Sequence, residues 1–346
     1  MFGKMMNNYY YGKSGKGDFR KDDMPHNRKD LFFDTLKTRL SALVRINLLY
    51  MLIFLPAMIV ILLFALNGID RMNNQVMIEQ NDYAAYVDIY KEAGQEVTVT
   101  EEQYNEYKNT PFDYYAYSQN VLYSLLIWLI PCLAITGPFT AGLSYVTRNW
   151  ARDEHAFIWT DFKDAVKANW KQSLVLSAIT SLMPLMVYLG WTFYGQLAAK
   201  SVIMFVPQIL IVLIGIIWAI SITYMHPMAV TYDLKMKDLI RNGLLLGVAR
   251  LPMSVAIRLL HCVPAVIGAL MIYFWNPWYG AMFLFAYYML IGFSLSRFIT
   301  ASYTNSVFDR FINPRIKGAK VNQGLYADED DDDDEEEEER EGETDH

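Results

Sequence analysis

Six stretches of the chain are almost free of charge over about the twenty residues that a helix needs to cross the hydrocarbon of a bilayer. They are 47–66, 121–146, 172–194, 202–225, 257–275 and 279–298, the first reading "NLLYMLIFLPAMIVILLFAL". Charged amphipathic segments precede two of these runs. In "TDFKDAVKANW", Phe162, Ala165, Val166 and Trp170 fall toward one side of a helix, and Asp161, Lys163, Asp164 and Lys167 mostly on the other. Thr160 is the expected cap of that helix, which suits a membrane interface. The stretch "LKMKDLIRNGLLLGVARLP" has the same order: Lys237-Asp238 with Ile240-Arg241 echo Lys163-Asp164 with Val166-Lys167, a weak internal repeat. The pattern predicts an all-α fold, a polytopic membrane helix bundle of six transmembrane helices with interfacial helices, in contact with membrane lipids.

Charge between the runs gives an orientation. Residues 67–118 carry ten acidic side chains against Arg71, Lys91 and Lys108, whereas the segment before the first run is basic throughout, from Lys4 to Arg45. Lys235, Lys237, Arg241 and Arg250, and then Arg297, Arg310, Arg315, Lys317 and Lys320, return on the basic side, while Asn276-Pro277-Trp278 is a tight turn on the other. The positive side is expected to be cytoplasmic, which places both termini inside a multi-pass protein. The organisation read from this is a basic N-terminal segment (1–42), a first membrane helix (43–66), an acidic aromatic extracytoplasmic loop (67–118), a membrane domain (119–312) and an acidic tail (313–346). The first run begins too far along and is too long for a cleavable secretion signal, so it is expected to stay as an anchor.

Composition changes the picture at two places. The chain is 53% hydrophobic with a formal net charge of -7, yet its last twenty residues hold fifteen acids and one Arg, so the remainder has 29 basic and 22 acidic side chains and is itself basic. Such a tail stays solvated and repels nucleic acid. The 67–118 loop is rich in Tyr, including Tyr83, Tyr86, Tyr90, Tyr104 and Tyr107. It predicts a helix before Gly94, an "EVTVT" strand and a helix from near Glu101, enough for a small cap whose rings can pack at the interface or stack on a ligand.

Candidate chemistry is sparse. "GKSGKGDF" lacks the first glycine of a phosphate-binding loop, whose place Asn7 holds. The histidines, His26, His155, His226, His261 and His346, show no metal-ligand spacing, and Cys132 and Cys262 sit in apolar runs as small buried hydrophobes. No catalysis, cofactor or metal is expected. Pro131 and Pro138 bend the second run, and Gly137, Ala141 and Gly142 let another helix approach it. Arg250, Arg258 and His261 are the candidates for a polar path, with the competing reading that Arg258 lies near the cytoplasmic edge and reaches outward as an anchor.

The stretch "NVLYSLLIWLIPCLAITGPFTAGLSYVTRNWARDEHAFIWTDFKDAVKANWKQS" resembles the YesL-like family of bacterial membrane proteins, through Pro131, Gly137, Pro138, Phe162, Asn169 and Lys171. "SYTNSVFDRF", with Asn305, Phe308, Asp309 and Arg310, is similar to the family's tail after its last membrane helix. The resemblance, running from about residue 120 to 312, implies an integral protein of the bacterial cell membrane, often linked to carbohydrate utilisation, without a settled activity. Two functional classes follow. The favoured one is an accessory or regulatory protein that assists carbohydrate uptake by contacting a membrane transport or signalling protein through its basic loops. The alternative is a small-solute or sugar transporter built on the bent-helix bundle.

Overall fold

The computed structural model describes residues 25–325, and the notable N-terminal basic residues up to Lys21, the "GKSGKGDF" stretch and the acidic run after Leu325 lie outside the described residues. Within them the chain is helical and contains no strand. Six helices are long and apolar enough to cross a membrane. Their outward faces carry exposed side chains such as Leu52, Ile59, Trp128, Leu189, Ile209, Leu259 and Leu270, the belt that lipid covers in a multi-pass protein.

Helix α1, Arg28–Gln80, has 53 residues and so extends about 80 Å, far more than the hydrocarbon thickness. Asn27 caps it by accepting from the Lys29 and Asp30 amides. The expected helix over 47–66 is therefore only its middle: the helix runs on past both boundaries, 43 and 67, and the polar flanks stay helical because both ends find something to pack on. Leu31, Ala42, Leu43, Ile46 and Tyr50 bury one face at the end near the N-terminus, and Gln75 and Ile78 bury the other end. Ile78 joins Tyr86 of α2, Tyr83–Glu92, and Tyr104 of α3, Glu101–Asn109, in a small separate core.

That core answers the question of the aromatic loop. Tyr86 and Tyr90 both donate to Asn74 (3.0 and 3.1 Å), and Tyr104 donates to the Ile78 and Asn81 carbonyls (3.0 and 2.7 Å). Burial pushes the Tyr86 and Tyr104 phenols above their ordinary range, which keeps them neutral donors. Two of the rings are thus the cap's interior rather than a ligand platform. The predicted helices on either side of Gly94 are present, but "EVTVT" is not a strand; Thr100 instead closes a capping box with Gln103 at the start of α3.

The second apolar run is two helices, α4 (Tyr114–Ile135) and α5 (Gly137–Trp150). Pro138 has no amide to offer the Ala134 carbonyl, and the Thr136 amide closes a tighter turn on Leu133 instead (3.2 Å). Helix α6, Thr160–Ala198, contains the segment expected as a separate interfacial helix. Thr160 is its first residue and not its cap; Phe162 and Ala165 are buried, so packing carries the helix straight into the membrane run.

A three-residue turn, Val202–Met204, leads into α7, Phe205–Thr231. The segment that echoes the start of α6 becomes a separate amphipathic helix, α8 (Met236–Ala249), because Pro252 stands in the first turn of α9, Leu251–Phe274. The two halves of the apparent repeat therefore end as different structures. Asn276 caps α10, Pro277–Tyr287, as the expected tight turn. A widened π-helical turn, Tyr288–Gly292, then joins it to α11, Phe293–Phe311.

One end of the bundle is closed by the chain's own terminal segments. Asp309 pairs with Arg28, accepts from Asn313 (2.5 Å) and accepts from the Asn322 amide (3.3 Å). Tyr232, whose phenol is pushed up to about 12 mainly by burial, donates to Asn313 (2.6 Å), and Arg152 donates to Gln323 (2.9 Å). Gly324, at φ +85°, lies so close to Arg152 that an added Cβ would stand 2.8 Å from its carbonyl oxygen. This end, called basal below, is where the basic flanks of the chain converge.

Candidate functional site

A cavity of about 540 Å³ opens in the basal half of the bundle. It lies where the two irregular helices meet: Thr136 and Thr140 line it from the α4–α5 break, and Tyr288 and Gly292 from the π-helical turn. Helix α6 contributes Ser177, Thr180 and Ser181, and α7 contributes Thr223 and His226. From α9 come Arg258 and His261, three residues apart and so on one face; from α11 come Ser296, Arg297 and Thr300.

The break and the close approach are made by sequence. Gly137 faces α6 so tightly that a Cβ there would stand 2.2 Å from the Ser173 carbonyl oxygen. Tyr50 of α1 shares a hydrogen bond with Thr140 (2.7 Å), and Tyr224 of α7 bonds Ser254 and Tyr303 (2.6 and 2.8 Å), which ties α7, α9 and α11 beside the cavity. The π-helical turn leaves the Tyr288 and Met289 carbonyls to an outside donor. The Asn47 side-chain amide donates to both (2.8 Å each), while its oxygen accepts from the Ser294 amide (2.9 Å).

The charge content is one-sided. No Asp or Glu lines the cavity, and the two ion pairs among the described residues, Arg28–Asp309 and Arg152–Glu154, lie at the basal end. His261 bonds the Ser296 carbonyl through Nε2 (3.0 Å), with Thr300 Oγ1 at 3.5 Å from the same nitrogen. Arg258 Nε, His226 Nδ1, His261 Nδ1 and Thr223 Oγ1 are buried without a hydrogen-bond partner.

The three residues expected on a polar path separate here. Arg258 and His261 both line the cavity, and His261 reaches α11 through the Ser296 carbonyl. Arg250 ends α8 instead, with its guanidinium 5.5 Å from the Phe311 ring, and lines a basal groove. The cavity also takes Arg297, which the charge pattern reads as a flank of the last run, and His226, whose place before Pro227 near a membrane edge leaves a polar path open to it but which is not among the three candidates. Their common signal, an ionisable group inside an apolar run, was available for both. Cys262 is exposed on α9 and Cys132 half-buried, so neither is the buried hydrophobe expected. No cluster able to hold a metal ion occurs among the described residues.

Most of the residues that carry the family resemblance serve packing, while Pro131, Lys171 and Arg310 are exposed. Gly137 and Pro138 form the α4–α5 break, Pro131 lies within α4, and Phe162 is buried in the core of α1, α5 and α11. Asn169 donates to the Ala165 carbonyl (3.0 Å), and Lys171 lies over the Trp170 ring. Asn305 donates to the Arg148 carbonyl (3.3 Å) and Phe308 is fully buried, while Arg310 sits over Phe311. With Asp309 they belong to α11 itself and not to a tail beyond it.

No curated protein and no solved structure matches the chain. The family described as "Protein of unknown function, DUF624" matches residues 117–191, which span most of α4, α5 and most of α6. This is shorter than the resemblance from 120 to 312 and covers the Thr136 and Ser177–Ser181 wall of the cavity but none of its charged groups. The chain therefore contains a DUF624 domain, of the YesL-like family.

Proposed function

We propose that this membrane protein binds a small polar solute in the cavity of its helix bundle and carries it across the membrane. The observation that supports the reading is a cavity of about 540 Å³ inside the bundle, in the size range of small-molecule sites, whose largely apolar wall carries several hydroxyls and two guanidiniums. Ionisable groups at membrane depth mark solute paths by default, because each costs free energy that packing alone does not repay. Interrupted helices beside such a cavity are the usual material of transport sites, and π-turns recur at functional positions.

The proposal reverses the order of the two classes read from sequence. A cavity is a feature the accessory reading does not need, although the basic basal end still suits a cytoplasmic partner. We assign no reaction to the cavity, and both termini are placed in the cytoplasm on the charge pattern. The implied link to carbohydrate use makes sugars and sugar derivatives the first solutes to try.

The test is uptake into vesicles reconstituted with the purified full chain, using glucose, glucuronate and glucosamine, each radiolabelled. Saturable uptake of at least one, at least five-fold above protein-free vesicles and abolished by Ser181→Phe, is expected. Absence of uptake for all three, with a sugar permease or kinase co-purifying from native membranes, would return the accessory reading.

A further inference from the structure

We infer that the cavity selects an oxyanion: its solute is a small organic anion, a carboxylate or phosphate ester of about monosaccharide size, bound by Arg258 and Arg297. The inference rests on the cavity being a solute site. Two guanidiniums from different helices, α9 and α11, line the same space without a carboxylate among the lining residues. Arginine stays protonated under all ordinary conditions, so the pair is a standing positive charge that only a ligand can balance locally.

The polar groups around the pair have the character of a binding site rather than of a closed hydrogen-bond network. Arg258 Nε and Thr223 Oγ1 are donors without partners, and Thr223 is 1% exposed. His226, 3% exposed, leaves Nδ1 unpartnered, whereas His261 is held by the Ser296 carbonyl through its other nitrogen. Buried polar groups in folded proteins are nearly always satisfied, and a cluster of exceptions around two unpaired cations calls for a ligand rich in acceptors. A carboxylate or phosphate supplies acceptors in the fork geometry that guanidinium matches. Across the cavity the Ser177 hydroxyl, and the Ser181 oxygen, which can still accept while its hydroxyl donates to Ala178, suit the remaining polar groups of such a molecule.

The experiment compares three sugars of the same ring size and opposite charge on detergent-solubilised full-length protein. Glucuronate, glucose and glucosamine are titrated by calorimetry, with thermal stabilisation as a second readout. Glucuronate, or glucose 6-phosphate in a parallel arm, is expected to bind at least ten-fold more tightly than glucose, and glucosamine least. Arg258→Gln and Arg297→Gln should each weaken the anion at least ten-fold and leave any glucose binding within two-fold, with Arg258→Lys and Arg297→Lys between. If a glutamine variant does not fold, wild-type selectivity and the lysine variants decide. A stronger response to glucuronate identifies a carboxylate solute, and to glucose 6-phosphate a phosphate ester. Stabilisation by inorganic phosphate alone, with neither sugar anion bound, overturns the organic-anion assignment. Glucose bound as tightly as glucuronate, and lost in Ser181→Phe, overturns anion selection while the cavity reading stands. No response to any sugar, unchanged by Ser181→Phe, removes the cavity reading and this inference with it.

Discussion

Asn47→Leu is expected to lower the stability of the solubilised protein by about 3 kcal/mol, from three lost hydrogen bonds at about 1 kcal/mol each. The π-helical turn leaves two of its carbonyls to an outside donor. Tyr288 and Met289 present carbonyls to Asn47 at 2.8 Å each, and the Ser294 amide reaches its side-chain oxygen at 2.9 Å. Asn47 is fully buried, so no water replaces it. Hydrogen bonds between side chains of membrane helices average only about 0.6 kcal/mol, since the partners find substitutes. Here the partners are backbone groups within hydrocarbon, where an unsatisfied group is expensive. Leu keeps the branched outline of Asn but is bulkier, so overpacking adds to the loss, and Asn47→Ala, which removes the same bonds without added bulk, is the companion variant. Thermal unfolding in detergent measures it; an unchanged midpoint would show that the turn closes its own bonds.

Gly137→Ala is expected to be the most damaging single-methyl change in the bundle. The new Cβ would lie 2.2 Å from the Ser173 carbonyl oxygen and 2.8 Å from the Ser173 carbonyl carbon and Ser177 Cβ. Two of these atoms are helix backbone, so α5 and α6 must separate, with a cost of about 3 kcal/mol as in overpacked cores. Alanine's better helix propensity returns about 1 kcal/mol. The net loss of about 2 kcal/mol should appear as a fall in monodisperse protein on size exclusion and a lower unfolding midpoint. Gly68→Ala is the comparison: its Cβ would meet only Val121 Cγ1, at 3.9 Å, an ordinary contact, so the effect should be smaller. Equal effects at the two glycines would show that the α5–α6 contact is looser than described.

Hydropathy made the membrane crossings legible because the bilayer demands apolar length, and it read that demand alone. It saw the middle of α1 and not the polar turns that pack at the basal end and in the cap. Proline made the α4–α5 break readable as a bend, but its depth as a true interruption depends on the Gly137–Ser173 approach between helices. The charged site was half visible. Arg258 and His261 are three apart in one helix, whereas Arg297 and His226 come from other helices, and one chain's pattern gives no reason to bring them to the same face. Asn47 looked like the first residue of an apolar run; its role depends on a π-helical turn more than two hundred residues away.

The most direct test of a solute cavity inside the bundle is whether a water-soluble molecule reaches it. In a background lacking Cys132 and Cys262, Thr223→Cys places a thiol on the cavity wall, Leu52→Cys one on the lipid-facing surface and Glu102→Cys one on the cap. Each variant, in sealed vesicles, is exposed to anionic 2-sulfonatoethyl methanethiosulfonate on both sides. The account predicts modification of Thr223→Cys at least ten-fold faster than of Leu52→Cys, and slower modification in the presence of glucuronate. Thr223→Cys as unreactive as Leu52→Cys, while Glu102→Cys reacts fully, would contradict it.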